Sequence, residues 1–110
     1  MAVLADEYEQ DPNLALAILN CESGLDNTAV NSNVSSTTGE VTSHDYGFWQ
    51  INDFYHETDA KEKGFDIRNP EQNLEYGFIL MKESYTQSWK ATSGCWEKPM
   101  LYIKQYENQL

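Results

Sequence analysis

The sequence predicts a small α+β domain that is predominantly α-helical, with a β-hairpin after its first strong helix. Three observations predict this fold class: a capped amphipathic helix near the N-terminus, a polar segment with a turn signal after it, and a second capped amphipathic helix further on. The 110 residues suit one domain over residues 1–110 with a single modest core.

The first helix is predicted in "DPNLALAILNCES". Asp11 is a good N-cap, Pro12 fits the first helical position, and Gly24 is a suitable terminator. One face of this helix is apolar at helical spacing, through Leu14, Ile18, Cys21 and Leu25. Residues 26–44 are rich in Ser, Thr, Asn and Val and contain the turn signal "TTGE", which predicts an irregular hairpin or small sheet.

Further helices are predicted in the second half of the chain. "NDFYHETDAKEKG" reads as a short helix closed by Gly64. In "NPEQNLEYGFILMKESY", Asn69 caps a longer helix, Pro70 opens it and Gln72 completes a capping box. Its inner stripe is predicted from Leu74, Gly77, Phe78, Met81 and Tyr85. "SWKATSGCW" is predicted as a loop or short turn, and "KPMLYIKQYENQL" as a last helix opened by Pro99.

Composition excludes several classes of partner. The net charge of −11 and the lack of a Lys/Arg stripe argue against nucleic acid. The apolar runs are too short to span a bilayer, and the acidic balance opposes attachment to an anionic membrane or wall. "MAVLADEYEQD" does not look like a secretory signal peptide, so we expect either another export route or a mature domain with an added Met1.

No cofactor and no metal are predicted. His44 and His56 do not form a metal-binding spacing such as His-Glu-x-x-His, and with the two cysteines they make no zinc pattern. Cys21 and Cys95 lie far apart in the sequence. An even cysteine count permits a disulfide that would close a long loop, and the alternative is two buried thiols in a reducing compartment.

Two carboxyl groups, those of Glu22 and Asp45, are candidate catalytic groups. Glu22 is expected near the negative C-terminal end of a helix and beside apolar residues, and both effects should raise its pKa. A carboxyl group that stays protonated near neutral pH can serve as a general acid. Asp45 lies in a polar segment and is expected to stay ionised, and such a pair is typical of glycoside chemistry. The alternatives are a surface glutamate at a fraying helix end and an ordinary turn aspartate.

"CESGLDNTAVNSN" followed by "HDYGFWQIND" resembles the lysozyme-like superfamily, which holds animal lysozymes and the SLT-type lytic transglycosylases. The family pattern is a helix ending in Glu-Ser, an Ala-x-Asn segment, and then Asp-x-Gly-x-x-Gln-Ile-Asn. The resemblance covers roughly residues 12–96. It implies a lysozyme-like fold, with Glu22 as the catalytic acid and Asp45 as the second carboxylate, which acts as nucleophile or ion stabiliser. The type case of two unequal carboxylates is itself a lysozyme.

The resemblance also implies substrate-binding residues. Gln50 and Asn52 match residues that line the glycan cleft, with Asn52 contacting an N-acetyl group, and Asn33 matches a polar residue near the second carboxylate. Trp89 or Trp96 matches the cleft tryptophan.

The implied function is cleavage of the β-1,4 bond between N-acetylmuramic acid and N-acetylglucosamine in peptidoglycan. Because Asp45 is present and the Tyr-Asn-x-Gly segment of many SLT transglycosylases is missing, a muramidase is favoured. The alternatives are a lytic transglycosylase that uses Glu22 alone and a non-catalytic glycan-binding domain. The acidic charge, opposite to that of basic defensive lysozymes, points to a microbial or phage enzyme. We expect a monomer located outside the cell, in the periplasm or at the cell wall.

Overall fold

The computed structural model describes residues 2–107 and confirms the predicted class, a predominantly helical α+β domain. In this part of the chain a three-stranded antiparallel sheet in the order β1-β2-β3 lies between helices. The elements are α1 (Ala2–Glu7), α2 (Pro12–Ser23), β1 (Val30–Val34), β2 (Val41–Tyr46), β3 (Ile51–Asn52), α3 (Asp53–Glu62), α4 (Pro70–Ser84), a 3-10 helix (Gln87–Thr92) and α5 (Ser93–Glu107).

Helix α2 begins and ends where the sequence predicts. The Asp11 side chain accepts a hydrogen bond from the backbone N–H of Asn13. At the other end Gly24 adopts a left-handed conformation with φ 63° and donates its N–H to the carbonyl of Asn20. Leu14 and Ile18 are buried, but the prediction for Leu25 is wrong. Leu25 is 45% exposed because it lies beyond Gly24, outside the helical periodicity.

The predicted hairpin is confirmed, and a third strand extends it. Strand β2 lies in the middle of the sheet, so Asp45 pairs with Asn31 on one side and with Asn52 on the other. The turn between β1 and β2 is closed by the N–H of Ser35, which donates to the carbonyl of Glu40. Strand β3 has two residues, too few for alternation to reveal it in the sequence.

Helices α3 and α4 are confirmed, with two corrections in α4. Asn69 caps α4 by accepting the N–H of Gln72. The reciprocal half of the predicted capping box is wrong, because Gln72 Oε1 accepts the N–H of Asp66 at 2.7 Å. Tyr85 does not belong to the inner stripe: it is 58% exposed, since α4 ends at Ser84 and Tyr85 turns to φ 53°.

The C-terminal part of the chain is more helical than predicted. The segment predicted as a loop forms the 3-10 helix and the first turn of α5, and Pro99 lies inside α5 instead of opening it. The buried Trp96 and the disulfide-bonded Cys95 anchor this first turn, and such packing outweighs the local preference of proline for a helix start. Residues 108–110 of the predicted last helix lie outside the described residues.

Helix α1 was not predicted, because six residues carry too little periodic signal. No helix within residues 2–107 combines the length and the apolar character that crossing a membrane requires.

The core is centred on Trp49, which is fully buried. Its indole N–H donates to the carbonyl of Leu74 at 2.8 Å, and its ring meets Phe78 edge-on at 5.2 Å between centroids. The ring also lies directly against Gly77, where a Cβ atom would be only 2.1 Å from Trp49 Cδ1. Glycine is therefore required at this point of α4.

Gly77→Ala is expected to destabilise the protein by about 3 kcal/mol, because the added methyl group must displace the buried Trp49 ring. Urea unfolding followed by tryptophan fluorescence measures the change. Gly94→Ala is the matched control, since Gly94 also lies in a helix and its Cβ would meet nothing within 4 Å. Equal stability of the two variants would contradict this account of the α4 packing.

Candidate active site

A cleft of about 280 Å³ brings together residues from α2, the sheet, α3 and the 3-10 helix. Five of the residues expected at a glycan-cleaving site line it: Glu22, Asp45, Gln50, Asn52 and Trp89. The cleft is also lined by side chains that the sequence does not predict to be functional, among them Tyr55, His56, Ser88 and Thr92.

Glu22 is held in the cleft by the end of helix α2. It is the penultimate residue of the helix, and the next side chain, Ser23, donates through Oγ to the carbonyl of Phe48 at 2.8 Å. This bond ties the helix end to the turn between β2 and β3. Burial raises the pKa of Glu22, and the nearby charge of Asp45 raises it further. The direction of this pKa shift agrees with the expectation from the sequence.

Thr92 contacts Glu22 directly. Its Oγ1 lies 2.6 Å from Glu22 Oε1 and donates a hydrogen bond that lowers the pKa of Glu22, against the effect of burial. The same oxygen lies 3.0 Å from the carbonyl oxygen of Trp89. Sequence reasoning missed Thr92 because it is 70 residues from Glu22 and belongs to no recognisable spacing.

The carboxylate of Asp45 is oriented by two amide groups. Asn52 Nδ2 donates to Oδ1 at 2.9 Å, and Asn33 Nδ2 donates to Oδ2 at 3.2 Å. Both amides also donate to Ser43 Oγ, which lies on the same face of β2 because side chains alternate along a strand. Asn33 is not among the residues that line the cleft, and its link to the cleft is the hydrogen bond to Asp45.

The opposite face of β2 is anchored by charged groups. The backbone N–H of His44 donates to Asp53 Oδ1 at 2.9 Å, and this bond is the main cause that lowers the pKa of Asp53. The Arg68 guanidinium lies 4.6 Å from the centre of the Tyr46 ring, within cation–π range. His44 and Tyr46 flank Asp45 in the sequence, so these contacts fix the strand that carries the carboxylate.

The turn after β2 is organised by a buried asparagine. Asn73 Nδ2 donates to the carbonyls of Tyr46 and Ile67, and Asn73 Oδ1 accepts the N–H of Trp49. Gly47 has φ 71°, and a Cβ there would lie 2.8 Å from the Asn73 side chain. The Gly of the Asp-Tyr-Gly motif is thus needed both for its backbone conformation and for this close approach.

Gln50 closes the same turn. Its Nε2 donates to the carbonyls of Ala29 and Gly47, while its Oε1 accepts from Asn31 Nδ2 at 2.7 Å. Gln50 itself has φ 52°, a conformation that is uncommon for a side-chain-bearing residue. The side chain lines the cleft, and its polar atoms are already used to hold the cleft wall together.

The structure separates the two candidate tryptophans. Trp89 lines the cleft, and its indole N–H donates to the carbonyl of Trp49 at 3.0 Å. Trp96 lies outside the cleft: it lines a separate cavity of about 260 Å³ with Leu14 and Met100. Trp96 is therefore not brought to the cleft with the other predicted substrate-binding residues, because α5 turns its ring into the core, where its N–H donates to the carbonyl of Trp89.

Cys21 and Cys95 form a disulfide in this structure, with 6.0 Å between their Cα atoms. The bond joins the residue that precedes Glu22 to a residue three positions after Thr92. It therefore ties together the two chain segments that carry the contacting Glu22 and Thr92 side chains.

The two histidines lie in different surroundings. His44 is next to Asp53, with Nδ1 3.5 Å from its carboxylate, whereas His56 lines the cleft and contacts the Tyr76 ring at 6.3 Å between centroids. Burial lowers the pKa of His56. Within residues 2–107, no three His, Cys, Asp or Glu side chains come together in a way that could hold a metal ion.

Comparison with known proteins gives one match. The family described as the transglycosylase SLT domain matches residues 2–100, which include the cleft and the disulfide. No curated protein and no solved structure matches the chain.

Proposed function

The chain belongs to the transglycosylase SLT domain family, within the lysozyme-like superfamily, and on that premise we propose that it cleaves peptidoglycan between N-acetylmuramic acid and N-acetylglucosamine with Glu22 as general acid. The observation that carries the proposal is a half-buried glutamate with a raised pKa that shares a cleft with a second carboxylate, Asp45. Two carboxyl groups in unequal surroundings are the arrangement typical of glycoside hydrolysis.

The first step is proton transfer from Glu22 to the glycosidic oxygen. Burial and the charge of Asp45 favour the protonated form of Glu22 in the free enzyme. As the proton reaches the oxygen, the bond from that oxygen to C1 of the muramic acid breaks and leaves an oxocarbenium-like centre. Glu22 is then ionised and can act as the base of the second step.

In the favoured second step, Asp45 assists hydrolysis. Asp45 lies in the same cleft, and Asn33 and Asn52 fix both of its carboxylate oxygens, which supports a role beside the developing positive charge. The oxygen of a water molecule bonds to C1, and the water's proton returns to Glu22. The product carries a reducing end, and the enzyme is a muramidase.

A second candidate function is lytic transglycosylation, and the family match favours it. Here the 6-hydroxyl oxygen of the muramic acid bonds to C1 of the same sugar, and its proton passes to Glu22. The product then ends in 1,6-anhydromuramic acid, and Asp45 is not needed for the chemistry.

Mass spectrometry of the released muropeptides tests the two routes. We expect reducing ends from the wild-type protein, and we expect Asp45→Asn to lower their release by about 100-fold, because the neutral amide loses the stabilising charge. Asp6→Asn is the matched control, since Asp6 is exposed on α1 and distant in sequence from the cleft residues. Anhydro ends from the wild type, with Asp45→Asn equally active, would contradict hydrolysis and support transglycosylation.

The proposed substrate would place the domain in the periplasm or at the cell wall. The net charge of −11 opposes general adhesion to an anionic wall, so binding would depend on contacts within the cleft. The monomeric state and the microbial or phage origin remain predictions.

A further inference from the structure

The hydroxyl group of Thr92 lies between two acceptors that it cannot serve at once. Its Oγ1 is 2.6 Å from Glu22 Oε1 and 3.0 Å from the carbonyl oxygen of Trp89. A threonine hydroxyl has a single hydrogen to donate. The hydroxyl therefore has two orientations, one towards Glu22 and one towards Trp89.

The charge on Glu22 decides between these orientations. Hydrogen bonds from a hydroxyl to a charged oxygen are short, roughly 2.5–2.7 Å, and about twice as strong as neutral ones. The ionised carboxylate is therefore the better acceptor, and the Oγ1–Oε1 distance of 2.6 Å is short enough for such a bond. When Glu22 is protonated its oxygen accepts more weakly, and the carbonyl of Trp89 can take the hydrogen.

The second acceptor is held in a fixed place. The Trp89 carbonyl also accepts the indole N–H of Trp96 at 3.3 Å, and the Trp89 indole N–H donates to the carbonyl of Trp49. All three tryptophans are buried. Both acceptors thus stay within reach of Thr92 while Glu22 gains and loses its proton.

We propose that Thr92 is a positioning residue for Glu22, whose hydroxyl turns from the Trp89 carbonyl to Glu22 Oε1 when Glu22 gives up its proton. This switch stabilises the carboxylate that remains after proton transfer. Oε2 has no hydrogen bond to any residue that the structure describes, so it is left to carry the proton to the glycan. The proposal rests on the proposed role of Glu22 and adds a hydrogen-bond donor for its ionised state.

None of the other titratable groups that the structure describes around the cleft supplies this effect. Asp45, from the sheet, raises the pKa of Glu22, as burial does, and the Thr92 hydroxyl lowers it. His56 lines the same cleft from α3, and Lys90, the basic residue of the 3-10 helix, is exposed to solvent. The hydrogen bond from Thr92 therefore offsets the effect of burial on the pKa of Glu22, and this keeps Glu22 able to release its proton.

The test is an NMR titration of Glu22 in protein labelled with 13C at the glutamate carboxyl groups. In Thr92→Val, which keeps the shape but lacks the hydroxyl, we expect the pKa of Glu22 to rise by about one pH unit. Thr92→Ser keeps a hydroxyl and should titrate close to the wild type. Because Glu22 must be protonated to act as an acid, the alkaline limb of the pH–activity profile should move to higher pH in Thr92→Val.

An unchanged pKa in Thr92→Val, or an equal rise in Thr92→Ser, would overturn the role of Thr92. If the valine variant does not fold, Thr92→Ala carries the same expectation. The titration needs no substrate, so it is independent of the proposed function. Inactivity on peptidoglycan together with the expected pKa rise would refute only the proposed function, and activity without the rise would refute only the role of Thr92.

Discussion

Replacing Glu22 with Gln is expected to lower the release of muropeptides from peptidoglycan by about 100- to 10,000-fold, the usual contribution of a general acid. Glutamine has nearly the same shape and can still accept the hydroxyl of Thr92 through its amide oxygen, but it cannot give up a proton. The cleft should therefore stay intact while the first chemical step fails. Each protein is incubated with purified peptidoglycan, and the soluble muropeptides that it releases are measured by chromatography.

Glu40→Gln is the matched control for this variant. Glu40 lies exposed in the turn between β1 and β2, and its side chain takes no part in the cleft. Its activity should equal that of the wild type, and both variants should melt at or above the wild-type temperature. If Glu22→Gln and the wild type release equal amounts of product, the enzyme proposal is wrong and a non-catalytic glycan-binding domain becomes the better account.

The sequence could predict the helix caps and the positions of Glu22 and Asp45 because their signals are local. Asp11 and Gly24 define the ends of α2, and this places Glu22 one residue before the helix ends. The Asp-Tyr-Gly motif indicates a turn directly after Asp45, since the turn that follows β2 needs glycine at position 47. Helix caps and tight turns depend on a few neighbouring residues, so they can be predicted from a single sequence.

Contacts between distant segments could not be predicted in the same way. Thr92 reaches Glu22 across 70 residues, and nothing in "SWKATSGCW" distinguishes it from any other threonine. The choice between Trp89 and Trp96 depends on which of the two buried indoles borders the cleft. Trp89 of the 3-10 helix does, whereas Trp96 of α5 lines a separate cavity. The predicted start of α5 at Pro99 is wrong because the local preference of proline for a helix start is outweighed by the packing of Trp96 and by the disulfide.

Removing the disulfide is expected to cause a large loss of stability. In the variant with both Cys21→Ser and Cys95→Ser, the unfolded chain regains the freedom of a loop of 74 residues. The free energy of unfolding should fall by about 4 kcal/mol, and the melting temperature should fall by roughly 15–25 °C. Calorimetry of the oxidised wild type and of the double variant measures both changes.

The same bond should also matter for catalysis, because it joins the ends of the two segments that bring Glu22 and Thr92 together. To separate this effect from unfolding, activity and the pKa of Glu22 are measured well below the melting temperature of the double variant. There we expect lower activity and a raised pKa of Glu22, since a looser contact with Thr92 stabilises the carboxylate less. Reductant should reproduce the changes in the wild type and leave the double variant unaffected. If the folded double variant keeps full activity and an unchanged pKa, the disulfide contributes stability alone, and the packing of α2 against α5 is sufficient to hold the acid in place.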